Sequence, residues 1–185
     1  MGPHIKAGRI LGIPICISYT WFIVLVIILL LLSQEFSSLH PAWSPYETWV
    51  VTGVTSILFF ASILVHELSH SIVAQNMGIP VKRITLFVFG GISEISSETR
   101  HPSIEFLIAI VGPISSILLG ILFIILFFYL RNISEHSTAI AQSLAVINIS
   151  LAVFNLWPLK FQQQYITSAT FALGQQCRLK LCRRQ

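Results

Sequence analysis

Two histidines and a glutamate stand inside one of the most apolar stretches of the chain, residues 62–75, which reads SILVHELSHSIVAQ. His66 and His70 are four positions apart, so on a helix they share a face about one turn apart, with Glu67 beside them. Two imidazoles at this spacing can bind one Zn²⁺, and a neighbouring carboxylate can take a proton from water. The segment therefore predicts a hydrolytic metal site on a helix.

The composition predicts that this helix lies in a membrane. Hydrophobic residues make up 55% of the chain and charged residues only 10%, far from the average of soluble domains. An ionisable side chain near the bilayer centre costs about 2.5–3.5 kcal/mol on insertion scales, so three within one turn need a compensating partner. The alternative explanation is that these polar residues lie near the cytoplasmic end of the helix, where their side chains could reach water. It accounts for one histidine, but not for three polar groups at metal-binding spacing.

The elements that position these residues are predicted to be four membrane spans. Apolar blocks of about 20 residues match the length that a helix needs to cross a hydrocarbon core about 30 Å thick. The first block is treated as a retained span, because Lys6 and Arg9 precede it and no small-residue cleavage pattern follows it. The predicted spans cover residues 14–33, 48–76, 103–130 and 137–157.

A short β element is predicted at the membrane interface between spans two and three. The sequence VKRITLFVFGG alternates polar and apolar residues and then breaks at Gly90 and Gly91, which is typical of a strand that ends in a turn. An ordinary amphipathic loop is the alternative. The predicted fold class is an all-α integral membrane protein of about four transmembrane helices with this short interfacial β element.

The distribution of positive charge predicts that both termini are cytoplasmic. A basic fringe beside the anionic lipid bilayer accounts for the net charge of +4, so nucleic acid is not expected as a partner. Three cysteines without metal-ligand spacing, Cys16, Cys177 and Cys182, are expected to be free thiols. The lack of a cleavable targeting peptide and the compact length suggest a prokaryotic cell membrane. The sequence makes no prediction of oligomeric state.

A membrane-embedded HExxH segment resembles the site-2 protease family of intramembrane zinc metalloproteases, and other stretches follow in the family's order. AGRILGIPICISYTWFIV resembles its N-terminal stretch and first span, and FVFGGISEI the strand and glycine pair after the HExxH span. AIVGPISSILLG is similar to the Gly-Pro segment of the next span, and INISLAVFNLWP to the start of the last core span. The resemblance implies a membrane-embedded metalloprotease core over residues 1–158, with Zn²⁺ as cofactor and membrane-anchored proteins as substrates.

The resemblance also implies roles for single residues. His66 and His70 would be zinc ligands, with Glu67 as general base and then acid. Asn155 matches the asparagine of the family's FNLLP element, which orients substrate or stabilises the developing oxyanion.

Two further expectations concern substrate binding and helix packing. Phe89, Gly90 and Gly91 are expected to bind an extended substrate segment by strand addition. Asn148, two turns before Asn155, is expected to bond a neighbouring helix.

The family's pattern stops after Pro158. Its third zinc ligand is an aspartate, and counting without a gap from Asn155 puts that position at Gln163. All seven acidic residues are glutamates, so the chain has no aspartate to take this role. Six of the nine glutamines fall in the final 28 residues, and residues 159–185 form an atypical basic, Gln-rich, cytoplasmic tail. This tail favours a truncation or frame change near Leu159 over a divergent member that lost catalysis.

The third metal ligand is therefore unknown. Other side chains of the right chemistry are the loop residues Glu94, Glu98 and His101, and the tail thiols of Cys177 and Cys182.

The predicted function is hydrolysis of peptide bonds in or near transmembrane segments, impaired here by the missing aspartate. One alternative is a proteolytically inactive module that binds membrane proteins through the FVFGG edge. Another is an ion or proton transport protein that uses the HELSH side chains as a relay, although the sequence shows no inverted repeat.

Overall fold

Four long apolar helices dominate the structure, a computed structural model that describes residues 4–87, 90–95 and 102–156. The helices are α1 (Tyr19–Leu39), α2 (Pro45–Asn76), α3 (Pro102–Leu130) and α4 (Glu135–Leu156). Each is long and apolar enough to cross a membrane. The predicted class, an all-α integral membrane protein of about four transmembrane helices with a short interfacial β element, is confirmed as a mostly helical fold with four long apolar helices and a small sheet.

The helix that carries the two histidines is also the longest. α2 has 32 residues and begins at a capping box, in which Ser44 and Glu47 bond each other's backbone N–H groups and Pro45 occupies the first turn. At 1.5 Å per residue the helix is about 48 Å long. Because a hydrocarbon core is about 30 Å thick, α2 tilts or extends beyond it.

A four-stranded sheet lies at one end of the helices. Its strands are β1 (His4–Ile10), β2 (Ile13–Ser18), β3 (Val81–Phe87) and β4 (Gly90–Ile95), in that spatial order. The pairs β1–β2 and β3–β4 are antiparallel, while β2 and β3 are parallel. A parallel pair needs a long crossover connection, which α1 and α2 supply here.

The β part is therefore larger than the sequence predicted, and two boundaries differ. The first helix begins at Tyr19 rather than at Pro14, because Ile13–Ser18 is a strand. Gly90 and Gly91 do not end a strand: they open β4, opposite Phe87 and Leu86. Glycine is compatible with both a turn and a strand, so the glycine pair alone did not decide between them.

Packing places the second half of α2 between the sheet and α3. Apolar side chains of β2, β3, α2 and α3 form one buried cluster: Ile13, Ile15, Ala74, Ile79, Val81, Ile84 and Ile108. At the opposite end of the helices, Leu32, Phe36, Val51 and Ala139 join α1, α2 and α4. The helix that carries the histidine pair, α2, thus packs against other elements near both of its ends.

Candidate metal site

The side chains of His66 and His70 converge inside the helix bundle. His66 is 2% exposed and His70 is partly buried. Their Nε2 atoms lie 3.2 Å apart. Two nitrogens that are each about 2.0–2.1 Å from one tetrahedral zinc ion would be about 3.3 Å apart. The pair therefore has the separation that shared coordination of one ion requires.

The neighbouring helix α3 fixes the protonation of His70. Its Nδ1 is hydrogen-bonded to the backbone carbonyl of Ile108. A carbonyl oxygen only accepts, so Nδ1 donates, and in the neutral ring the lone pair then lies on Nε2. A metal-bound imidazole is usually held in this way, with its other nitrogen bonded to a carbonyl or carboxylate.

The second histidine is also bonded to α3. Nδ1 of His66 lies 2.8 Å from Oγ of Ser116, which is fully buried. A hydroxyl group both donates and accepts, so this bond is compatible with either neutral form of the His66 ring. In each histidine one ring nitrogen is bonded to α3 and the other faces its partner.

Between these two contacts, Gly112 leaves space for the rings. A Cβ atom at this position would lie 2.7 Å from Nε2 of His66 and would overlap the ring of His70. The two nitrogens therefore meet over a stretch of backbone that has no side chain. The paired donor atoms and the partners that orient them fit two of the ligands of a zinc ion.

The structure supports the predicted roles of Glu67 and Asn155 less strongly than it supports the histidine pair. Glu67 follows His66 in α2 and is partly buried. Nδ2 of Asn155 donates to the carbonyl of Leu151 at 2.8 Å, within its own helix, rather than to the histidine pair. The structure thus leaves the catalytic roles of both residues as predictions.

The depth of Asn155 follows from two contacts between α2 and α4. Asn148 donates to Ser62 at 3.2 Å, which confirms its predicted bond to a neighbouring helix. Nearer the start of both helices, Nε2 of His136 lies 3.4 Å from a carboxylate oxygen of Glu47, so the helices run in the same direction. Asn155 lies about 10 Å beyond Asn148, which brings it to the level of the histidine pair.

A third ligand is not found in the part of the chain that the structure describes. Within residues 4–87, 90–95 and 102–156, no three His, Cys, Asp or Glu side chains gather as a metal site. Cys16 is a buried free thiol, as predicted. Glu94 belongs to β4, of which only the backbone is described. The other residues considered lie outside the described ranges: Phe89, Glu98, His101, Gln163, Cys177 and Cys182.

The contribution of α3 to the site was not predicted from the sequence. Ile108, Gly112 and Ser116 recur every four residues, so they share one face of α3 toward the histidines. Pro113, next to Gly112, lies within continuous α3. Small residues four apart in an apolar helix were the available signal, because they allow close approach of a second helix.

Comparison with known proteins agrees with this geometry. The sequence profile of peptidase family M50 matches residues 54–137, which include both histidines and the face of α3 that contacts them. A putative zinc metalloprotease of Synechocystis sp. is 37% identical over 164 residues, which cover 85% of this chain and 41% of that protein. Residues 54–137 form a domain of peptidase family M50, the site-2 protease family.

Further relatives extend this assignment to the fold. The putative zinc metalloprotease Rip3 of Mycobacterium tuberculosis is 29% identical over 160 residues, which cover 85% of this chain and 41% of Rip3. The solved site-2 protease from Methanocaldococcus jannaschii superposes with a TM-score of 0.59 at 30% identity, over 84% of this chain and 65% of that one. This site-2 protease relative spans about two fifths of the length of the curated proteins it matches.

Proposed function

We propose that residues 1–158 form the core of an intramembrane zinc metalloprotease that hydrolyses peptide bonds in or near transmembrane segments of membrane-anchored proteins. The observation that carries the proposal is the 3.2 Å separation of the two Nε2 atoms of His66 and His70. Bound zinc supplies the Lewis acidity that activates water and polarises a peptide carbonyl. The buried position of His66 supports a site shielded from bulk solvent.

The other steps of the proposed reaction are assigned to individual residues of this chain. His66 and His70 offer Nε2 to the metal, and α3 holds their rings in place. Glu67 accepts a proton from the attacking water and returns it to the leaving amine. Asn155, at the same depth, donates to the substrate carbonyl after its side chain leaves the Leu151 carbonyl.

The substrate segment is proposed to bind along β4. This strand is at the edge of the sheet and packs against α2, the helix of the histidine pair. Gly90 and Gly91 are the first two residues of β4, and both pair with residues of β3. An extended peptide can add to such an edge through backbone hydrogen bonds, which would also expose its scissile bond. The part that Phe89 plays stays a prediction from the sequence.

The topology supports cytoplasmic termini. Lys6 and Arg9 of β1 lie in the same sheet as Lys82 and Arg83 of β3, so these positive residues are gathered at one end of the helices. Positive residues flank spans on the cytoplasmic side. Because α4 runs in the same direction as α2, it ends at that side too.

Weak zinc binding is part of the proposal. A catalytic zinc ion usually has three protein ligands, and this sequence contains no aspartate to complete the pair. We therefore expect slow hydrolysis by this chain. The β4 edge does not depend on the metal, so substrate binding without cleavage is the second candidate function. It predicts that substrate association survives Glu67→Gln.

The test is the zinc content of the detergent-purified full chain after equilibrium dialysis against buffered free zinc, measured by elemental analysis. The unmodified chain should retain zinc and His66→Ala should lose it. His136→Ala is the matched control, because His136 lies at the other end of the bundle, and it should retain zinc. Equal zinc in the unmodified chain and His66→Ala would overturn the proposal.

A further inference from the structure

We propose that Ser116 is a positioning residue of the metal site, whose hydroxyl holds the His66 ring so that Nε2 points at His70 and the metal. The inference rests on the proposed function. Its basis is the bond of 2.8 Å between two buried side chains on different helices.

The neighbouring serine shows that this contact is specific to one position. The Ser115 hydroxyl donates to the carbonyl of Gly112 at 2.7 Å, within its own helix. Such a bond is the usual choice for a serine in an apolar helix. Ser116 instead reaches across to α2 and bonds a histidine, which makes the two serines a natural pair for comparison.

A hydroxyl suits this position because His66 must exist in two neutral forms. His70 carries its lone pair on Nε2, so the Nε2–Nε2 contact is a hydrogen bond in the metal-free protein only if His66 carries its proton on Nε2. Nδ1 of His66 then accepts from the Ser116 hydroxyl. The bond from Ser116 therefore leaves the metal-free histidine pair fully hydrogen-bonded.

Metal binding requires the other form of His66. In this form the single ring proton is on Nδ1 instead of Nε2, so the ring is still neutral, no net proton is gained or lost, and the Nε2 lone pair is free. Nδ1–H now donates to Ser116, whose hydroxyl only has to rotate. A backbone carbonyl, such as the one at Ile108, could serve the second form but not the first. Ser116 thus keeps α2 and α3 bonded in both states.

Loss of this partner should weaken metal binding strongly. Within the membrane no bulk water replaces a missing hydrogen bond, so an alanine would remove the hydroxyl that orients the His66 ring without a substitute. Removal of groups that orient metal-bound histidines typically reduces metal affinity about 10- to 100-fold.

The experiment compares Ser116→Ala with Ser115→Ala in the full chain in detergent. Zinc affinity is measured by competition with a chelating dye, and ¹⁵N NMR of the histidine side chains reports which nitrogen of His66 is protonated. We expect about 10- to 100-fold weaker zinc binding in Ser116→Ala and little change in Ser115→Ala. In the zinc-loaded unmodified chain, His66 should be protonated at Nδ1.

Different results separate this inference from the function it rests on. If the unmodified chain binds no zinc, the proposed function fails. If zinc binds and depends on His66, but Ser116→Ala binds as tightly as Ser115→Ala, only the positioning role is wrong. Ser116→Thr keeps the hydroxyl and should recover affinity; a folded threonine variant that binds as weakly as Ser116→Ala would also overturn the role.

Discussion

The side chains of Ser62 in α2 and Asn148 in α4 meet in a buried hydrogen bond of 3.2 Å. Asn148 donates its other amide proton to the Leu144 carbonyl at 2.8 Å, so its Nδ2 has two acceptors. Ser62 lies one turn before His66. This bond therefore fixes the position of α4 beside α2 and sets the depth of Asn155, which lies two turns further along α4.

A double-mutant cycle should detect this bond as coupling between the two helices. Ser62→Ala and Asn148→Ala together should destabilise less than the sum of the single variants, by about 0.6 kcal/mol, the average for hydrogen bonds between membrane helices. Unfolding in mixed micelles measures the four free energies. Ser69 is the control, because its hydroxyl bonds its own helix, so Ser69→Ala and Asn148→Ala should be additive. Additivity for Ser62 as well would contradict the prediction.

Gly112→Ala should abolish zinc binding while the chain stays folded. The new Cβ would occupy the space in which the two Nε2 atoms meet, 2.7 Å from that of His66. Alanine is the better helix former by about 1 kcal/mol, which offsets part of the strain. Zinc affinity and thermal unfolding are measured in parallel.

Gly53→Ala provides the matched control for Gly112. A Cβ at Gly53 would meet nothing within 4 Å, so this variant should retain full zinc affinity and gain up to about 1 kcal/mol of stability. Unchanged zinc binding in Gly112→Ala would show that the histidines do not meet over this backbone.

The histidine pair was predictable because its signal is local. Two histidines one turn apart are read directly from a helical period, and the cost of burying them in a membrane strengthens the metal interpretation. Ser116 was not predictable as a partner, because its contact with His66 spans 50 positions and depends on how α3 packs on α2. Sequence spacing within one helix carries no information about that packing.

The N-terminal strands were missed for a different reason. Ile13, Ile15 and Ile17 alternate with other residues, which is the period of a strand, and Ser18 then caps α1. Only residues 18–20, Ser-Tyr-Thr, separate the isoleucines of this strand from the apolar run of the helix, so hydropathy averaged over a window merges the two elements. The two-residue period of the isoleucines stops at Ser18, so the periodicity of the sequence would have placed the end of the strand there.

Gly120→Ala should destabilise the contact between α3 and α4. The added Cβ would lie 2.6 Å from Cδ1 of Ile149, so the helices must separate or the isoleucine must change its rotamer. Overpacking of this kind costs about 1–3 kcal/mol. Ile149→Ala in the same chain removes the obstructing atoms and should recover part of the loss, as measured by unfolding of the two single variants and the double variant. If the double variant recovers no stability, the added Cβ atom does not clash with Ile149.

Three side-chain rings pack together at the end of the helix bundle opposite the sheet. Trp43, in the loop between α1 and α2, stacks on His40 at a centroid distance of 4.0 Å and on His136 at 4.6 Å. Nδ1 of His40 is bonded to Glu135 at 2.7 Å. The stack thus joins the end of α1 to the start of α4, far from the metal site along α2.

Trp43→Leu should therefore lower stability without changing zinc affinity. It removes both ring contacts and part of a packed apolar cluster, for which we expect a loss of about 2–4 kcal/mol, below the 3–5 kcal/mol typical of removing a large aromatic side chain entirely. Trp49→Leu is the control, because Trp49 is 50% exposed on α2 and should change stability by less than about 1 kcal/mol. Unfolding measures the first quantity and dye competition the second. Because zinc binding depends on α2 and α3 at the other end of the bundle, a parallel loss of zinc affinity in folded Trp43→Leu would show that the two ends are coupled.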